Sequence, residues 1–121
     1  MKVLLNHIMA RGVKRDKIIL IPPPPIIQYQ CSRGSFCPPG REPNVTKQYY
    51  VASMEVAKDL SVDYIEHWDQ LNDKEMFIDG LHFSQKGSRT LYELLRPKID
   101  ARTSGLRCQV PLVQHMSKKE F

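Results

Sequence analysis

Lys17-Ile18-Ile19-Leu20-Ile21-Pro22-Pro23-Pro24-Pro25 is a short β-branched run that is apolar on both alternations. A strand half-exposed to water alternates apolar with polar residues. One covered on both faces does not, and that is how a central strand of a parallel sheet reads. Pro22 to Pro25 end it, because proline donates no ladder hydrogen bond and cannot continue such a strand. Upstream, residues 1–13 carry Val3, Leu4, Ile8 and Met9 at helical spacing with Gly12 as a stop, which predicts a helix burying that face.

Downstream, Gln28 to Pro43 turns to Cys, Gly, Ser, Arg and Pro without a sustained period and reads as a long surface loop. Asn44 is placed as the cap of a helix whose apolar set is Val45, Tyr49, Ala52, Val56 and Leu60. Asn44-Val45-Thr46 also fits a glycosylation acceptor, but no secretory signal accompanies it, and the helix start is preferred. Val62-Asp63-Tyr64-Ile65-Glu66 is a second strand candidate with Trp68 just beyond it, and Leu71 to Phe77 reads as a short helical turn or loop. Ser84 caps a last helix with Leu91, Leu94, Leu95 and Ile99 on one face, ended or kinked by Pro97.

This order of helices and strands predicts an α/β fold, with parallel strands joined by right-handed crossovers and helices on both faces. Two strands alone do not make a stable sheet of that kind. The chain is therefore expected to be the C-terminal part of a larger α/β domain, or a partner-dependent piece of one. Residues 1–100 would form that partial domain, and 101–121, with Gly105, Pro111 and Lys118-Lys119, a poorly ordered tail.

The chemistry concentrates in Phe77-Ile78-Asp79-Gly80-Leu81-His82-Phe83-Ser84-Gln85-Lys86-Gly87. A carboxylate stands three residues before a histidine at the mouth of a helix. Histidine works as a general base only when its tautomer and ring orientation are held, and a carboxylate bonded to its second nitrogen does both. Asp79 is near enough in sequence to hold His82 in this way. No nucleophile for such a pair is obvious in the chain.

Eighteen Lys and Arg against thirteen Asp and Glu give a net charge of +5 over 121 residues. The basic residues are scattered, so neither nucleic acid nor an anionic membrane is an expected partner. Asn6 and His7 interrupt the apolar start, which argues against a secretion signal, and no apolar run approaches the roughly 20 residues of a membrane-spanning helix. Three cysteines, Cys31, Cys37 and Cys108, cannot all pair within one chain, which suits a reducing compartment and a cytoplasmic location. Cys31 and Cys37 lack the further ligands of a metal site and read as loop cysteines; no metal or cofactor is expected. The proline run reads as a rigid turn in preference to a polyproline ligand, and Trp68 as packing. His7, His67 and His115 receive no role.

Asp79-Gly80-Leu81-His82-Phe83-Ser84-Gln85-Lys86-Gly87 resembles the last conserved block of SGNH (GDSL-type) esterases, closest to the isoamyl acetate-hydrolyzing esterase group. The resemblance extends over about residues 1–100, through the strand with its proline turn, the helix to Leu60 and the strand ending near Trp68. It implies a flavodoxin-like three-layer α/β/α hydrolase fold of which this chain is the C-terminal portion. It also implies hydrolysis of carboxylic esters, as in lipid degradation, through an acyl-enzyme. By that resemblance Asp79 orients His82, and His82 takes the proton from a serine hydroxyl; Ser84 caps the helix and Gly87 lets its first turn sit close to the sheet.

The family's nucleophile lies in a Gly-Asp-Ser block, and its oxyanion donors in that block and two later ones. This chain contains no Gly-Asp-Ser. Asn6 lies in the first helix and is not carried over as the oxyanion asparagine. The expectation is a truncated chain, inactive alone, whose partner is a small ester if an N-terminal half completes it. The alternative is a non-catalytic product that binds or regulates a full-length relative through an exposed sheet edge.

Overall fold

A computed structural model describes residues 1–28 and 41–105. Most of the expected loop, Cys31, Cys37, Cys108, His115 and the tail from residue 106 lie outside the described residues. Helix α1 spans Lys2–Ala10, and Gly12 closes it at φ +97, donating its N–H to the Met9 carbonyl at 3.0 Å. Its inward residue is Leu5, whereas Val3 and Leu4 stand 83% and 55% exposed. Of the predicted face, Ile8 and Met9 are half-buried on the side of Leu5, but Val3 and Leu4 are not covered by any described element.

Strand β1, Ile19–Leu20, pairs in parallel with β2, Asp63–Tyr64, setting Ile19 opposite Asp63 and Leu20 opposite Tyr64. Ile65 donates its N–H to the Leu20 carbonyl at 3.1 Å just beyond the ladder. Leu20, Ala57 and Val62 form the buried cluster, with Ile18, Leu60 and Tyr64 packed against it. Burying a side chain the size of Leu20 stabilises by about 1.5–3 kcal/mol, so this small cluster anchors the sheet to its helix. The described residues thus combine helices with a two-stranded parallel sheet, as an α/β chain does.

That helix is α2, Pro43–Asp59. Its cap is Glu42, in extended conformation, and not Asn44; Pro43 occupies the first helical position, where its missing N–H costs nothing. The face also differs from expectation. Tyr50, Ser53 and Ala57 are buried, whereas Val45, Tyr49 and Val51 are 42%, 65% and 44% exposed. The two stripes lie one residue, or about 100°, apart on the helix. Small Ser53 and Ala57 let the backbone approach the sheet closely, which the larger Val45 and Tyr49 would prevent. Helix α2 ends with Ser61 at φ 55, while the Ser61 and Val62 N–H groups donate to the Lys58 and Ala57 carbonyls at 3.1 and 2.9 Å. This pair of bonds is a Schellman closure, and it turns the chain directly into β2.

Past β2 the chain forms a short helix α3, Trp68–Leu71, and a 3-10 turn, Lys74–Met76, capped by the Asp73 carboxylate. Trp68 thus begins a helix; it is buried and packs its ring 5.1 Å from that of Tyr50. Helix α4 spans Gln85–Thr103 and runs through Pro97 without stopping. It also runs past Asp100, so the expected domain boundary falls inside a helix. The reason is visible at β2. Lys98 Nζ and Arg102 Nη2 donate to the two oxygens of Asp63 at 2.6 and 2.7 Å, and Arg102 Nε reaches the Asp16 carbonyl at 2.8 Å. Burial pushes the Asp63 carboxyl up, but the bonds from Lys98, Arg102 and the Tyr64 N–H outweigh it and hold it below the ordinary range. No described helix is long and apolar enough to cross a membrane.

Candidate active site

The residues singled out by sequence form a tight loop between the 3-10 turn and α4. Phe77 and Phe83 face each other in an antiparallel bridge with rings stacked at 5.3 Å. Inside it, Ile78 donates its N–H to the His82 carbonyl, and outside it Ser84 donates to the Met76 carbonyl, each at 2.9 Å. Gly80 turns the loop at φ +84, a conformation that side chains with a Cβ rarely adopt.

Asp79 is held at both oxygens. Oδ1 accepts the Leu81 and His82 backbone N–H groups at 2.9 and 2.7 Å, and Oδ2 lies 2.6 Å from His82 Nδ1. The His82 backbone bond, the His82 ring bond and the Leu81 backbone bond together lower the Asp79 carboxyl to about 2. It is ionised at neutral pH and has no proton to offer. Nδ1 must therefore carry the hydrogen, which leaves the Nε2 lone pair as the basic position of a neutral ring. The His82 side chain is 58% exposed, against 19% for Asp79. Among the described residues nothing is hydrogen-bonded to Nε2.

Ser84 and Gly87 hold this loop to α4. Ser84 Oγ donates to the Glu75 carbonyl at 2.6 Å and accepts the Gly87 N–H at 3.1 Å, capping the helix as the sequence suggests. Its hydroxyl is thereby committed to structure. A Cβ on Gly87 would lie 2.0 Å from the Met76 carbonyl oxygen and 3.0 Å from the Phe83 ring. The close neighbour that requires glycine is thus the 3-10 turn, and not the sheet. Lys86 and Glu75 add a surface ion pair across the same junction.

One bond fixes the loop to the proline segment after β1, and a second ties that segment to the connection between β2 and α3. Ile27 donates its N–H to the Gly80 carbonyl at 2.9 Å, and His67 Nε2 donates to the Pro22 carbonyl at 2.8 Å. His67 is fully buried, with its ring 5.3 Å from Tyr50, and burial lowers its pKa despite the opposing bond to Pro22. Sequence reasoning gave His67 no role. No pattern around it could have disclosed one, because its partner is a backbone carbonyl far away in the chain. Leu81, Pro23, Pro24, Pro25 and Tyr49 help line an open, mostly apolar cavity of about 400 Å³ beside the loop. Among the described residues no group of His, Cys, Asp and Glu is arranged to hold a metal ion.

The chain is 29% identical over 119 residues to a human protein named isoamyl acetate-hydrolyzing esterase 1 homolog, covering 92% of this chain and 48% of that protein. The sequence is thus similar to SGNH/GDSL-type proteins. The mouse protein of the same name is 28% identical over 116 residues, with 89% of this chain and 47% of the relative covered. A GDSL esterase/lipase of Arabidopsis thaliana is 27% identical over 116 residues, with 85% and 48% covered. The chain spans about half the length of these curated relatives. No family model matches it. No solved structure matches it.

Proposed function

We propose that these residues carry the general-base half of a serine ester hydrolase, with His82 as base and Asp79 as the group that orients it. The observation that carries this reading is the 2.6 Å contact between Asp79 Oδ2 and His82 Nδ1, made by a carboxylate already ionised and pinned by two backbone N–H groups. The esterase names of the relatives support it. His82 Nε2 would accept the proton of a serine hydroxyl as it attacks the ester carbonyl and return it to the departing alcohol. A water activated at the same nitrogen would then release the acid. Asp79 keeps its charge throughout and stabilises the imidazolium that forms between the two transfers.

The serine and the oxyanion donors belong, in this proposal, to polypeptide outside these residues, since the chain contains no Gly-Asp-Ser. β1 and β2 would be two strands of a larger three-layer α/β/α sheet. Losing even one oxyanion donor costs about 10²–10³ in turnover, so the 121 residues are expected to be inactive by themselves.

The test has two arms. The purified chain should hydrolyse p-nitrophenyl acetate no faster than its His82→Ala variant. Joined to SGNH/GDSL-type polypeptide bearing Gly-Asp-Ser, it should hydrolyse the ester with a rate that His82→Ala lowers by about 10²–10⁴. Fluorophosphonate-sensitive turnover by the isolated chain, or a completed enzyme indifferent to His82→Ala, would refute the assignment.

A further inference from the structure

His67 is fully buried in a stretch whose other inward residues, Ile65, Trp68 and Leu71, are apolar. Its Nε2–H donates to the Pro22 carbonyl at 2.8 Å, so Nδ1 carries only a lone pair, and among the described residues that atom is buried without a partner. An apolar ring of similar size would fill the same place without an orphaned acceptor, whose burial is destabilising. What the imidazole has and a phenyl ring lacks is the bond to Pro22.

Pro22 is one end of a stiff segment. Pro22 to Pro25 have a ring-fixed φ and no N–H, so the run bends little and cannot anchor itself by donating hydrogen bonds. Among the described residues the segment is hydrogen-bonded at its two ends, where His67 donates to Pro22 and the Ile27 N–H donates to the Gly80 carbonyl at 2.9 Å. Gly80 stands between Asp79 and the Leu81 and His82 N–H groups that Asp79 Oδ1 accepts. The circuit closes on the other side as well. The His67 carbonyl accepts the Leu71 N–H at 2.9 Å at the start of α3, α3 packs on α4, and α4 is capped by Ser84, two residues beyond His82. The turn is thus held at Ser84 by the helix and at Gly80 by the proline segment.

We propose that His67 is a positioning residue for the Asp79 and His82 pair: its bond to Pro22 sets the proline segment, and that segment, through Ile27 and Gly80, sets the turn in which Asp79 meets His82. The inference rests on the esterase reading above and adds to it a residue that touches neither Asp79 nor His82. The turn needs such a hold because the His82 side chain is 58% exposed, so the orientation of its ring depends on where the backbone presents Asp79.

The 121-residue chain is compared by NMR at neutral pH with its His67→Phe and His67→Gln variants. Phe keeps the bulk and removes the donor, whereas Gln returns an N–H near the position of Nε2. With His67→Phe, amide exchange at Ile27, Leu81 and His82 should rise by about tenfold, while Val62 and Ile65, bonded to Ala57 and Leu20, change by no more than about twofold. The ring nitrogen shifts of His82 should move from a single tautomer with Nδ1 protonated to a mixture of two, and His67→Gln should restore both readouts. A merely structural role would raise exchange at all of these amides together. That outcome, a His82 tautomer indifferent to His67→Phe, or no rescue by Gln overturns the proposal. If His67→Phe does not fold, Ile27→Pro, which deletes the other bond of the link, decides: an unchanged tautomer with unchanged exchange at Leu81 and His82 overturns it. The esterase reading is judged separately, on the chain joined to SGNH/GDSL-type polypeptide bearing Gly-Asp-Ser. There His67→Phe should lower kcat by about tenfold and leave KM within about twofold. The NMR response without ester turnover keeps the hold of His67 on the turn and removes the esterase reading, whereas turnover that needs His82 but ignores His67→Phe does the reverse.

Discussion

Asp79 Oδ2 lies 2.6 Å from His82 Nδ1, while Asp79 Oδ1 holds the backbone N–H of the same histidine at 2.7 Å. One carboxylate thus fixes both the ring and the main chain of one residue, which is possible because a three-residue offset closes the loop on itself. The arrangement depends on charge. Asp79 is lowered from 3.8 to about 2, so its stabilising contribution is complete above pH 4 and is lost as the pH falls toward 2. The Leu81 and His82 amide resonances should titrate together with a midpoint near 2; a midpoint near 3.8 would mean that the bonds do not form in solution.

His67 gives a second acid-sensitive point with its own window. Its pKa is lowered from 6.5 by burial, so the unfolded chain binds its proton first, and stability present above pH 6.5 declines as the pH falls below it. Replacing it with Phe removes the bond to Pro22 and should flatten the dependence of the urea midpoint on pH between 5 and 7. A slope that survives His67→Phe would assign the titration to another group.

Gly87 tolerates no side chain where it stands, because the atom a Cβ would meet is the Met76 carbonyl oxygen at 2.0 Å and not a movable side-chain end. Gly87→Ala should cost about 2–4 kcal/mol in denaturant unfolding, since helix and turn must separate. Ser84→Ala, which deletes only a cap, should cost about 1 kcal/mol. Equal losses would show that the two elements can slide apart freely.

Arg102 ties the end of α4 to Asp63 at 2.7 Å and to the Asp16 carbonyl at 2.8 Å. Arg102→Ala should lower stability by about 1–2 kcal/mol, and a chain ending at Asp100 should melt below one ending at Gly105 by a comparable margin. Thermal unfolding followed by circular dichroism measures both. Identical melting curves would make the brace energetically neutral.

The elements that were legible in the sequence are those whose cause is local. The proline run ends β1, Gly12 ends α1, and Ser84 starts α4, each through a property of the residue itself. The Asp79 and His82 pair belongs with them, since a turn of three residues brings its members together without help from the rest of the chain. The faces of α1 and α2 were not legible in this way. Along α2 two stripes compete, and Val45 and Tyr49 look more like core than Ser53 and Ala57. Which stripe turns inward depends on how close the sheet lies, and that distance is a tertiary quantity.

Sequence by itself determined the α/β character, the order of its elements, the likeness to SGNH/GDSL-type proteins and the pairing of Asp79 with His82, because each rests on residues adjacent in the chain or on a pattern spanning few of them. Tertiary structure alone decided the clamp from His67 to Pro22, the brace from Arg102 to Asp63 and the contact that makes Gly87 obligatory. In all three a side chain, or the lack of one, answers to an atom brought near only by folding. A carbonyl oxygen leaves no trace in sequence because every residue has one.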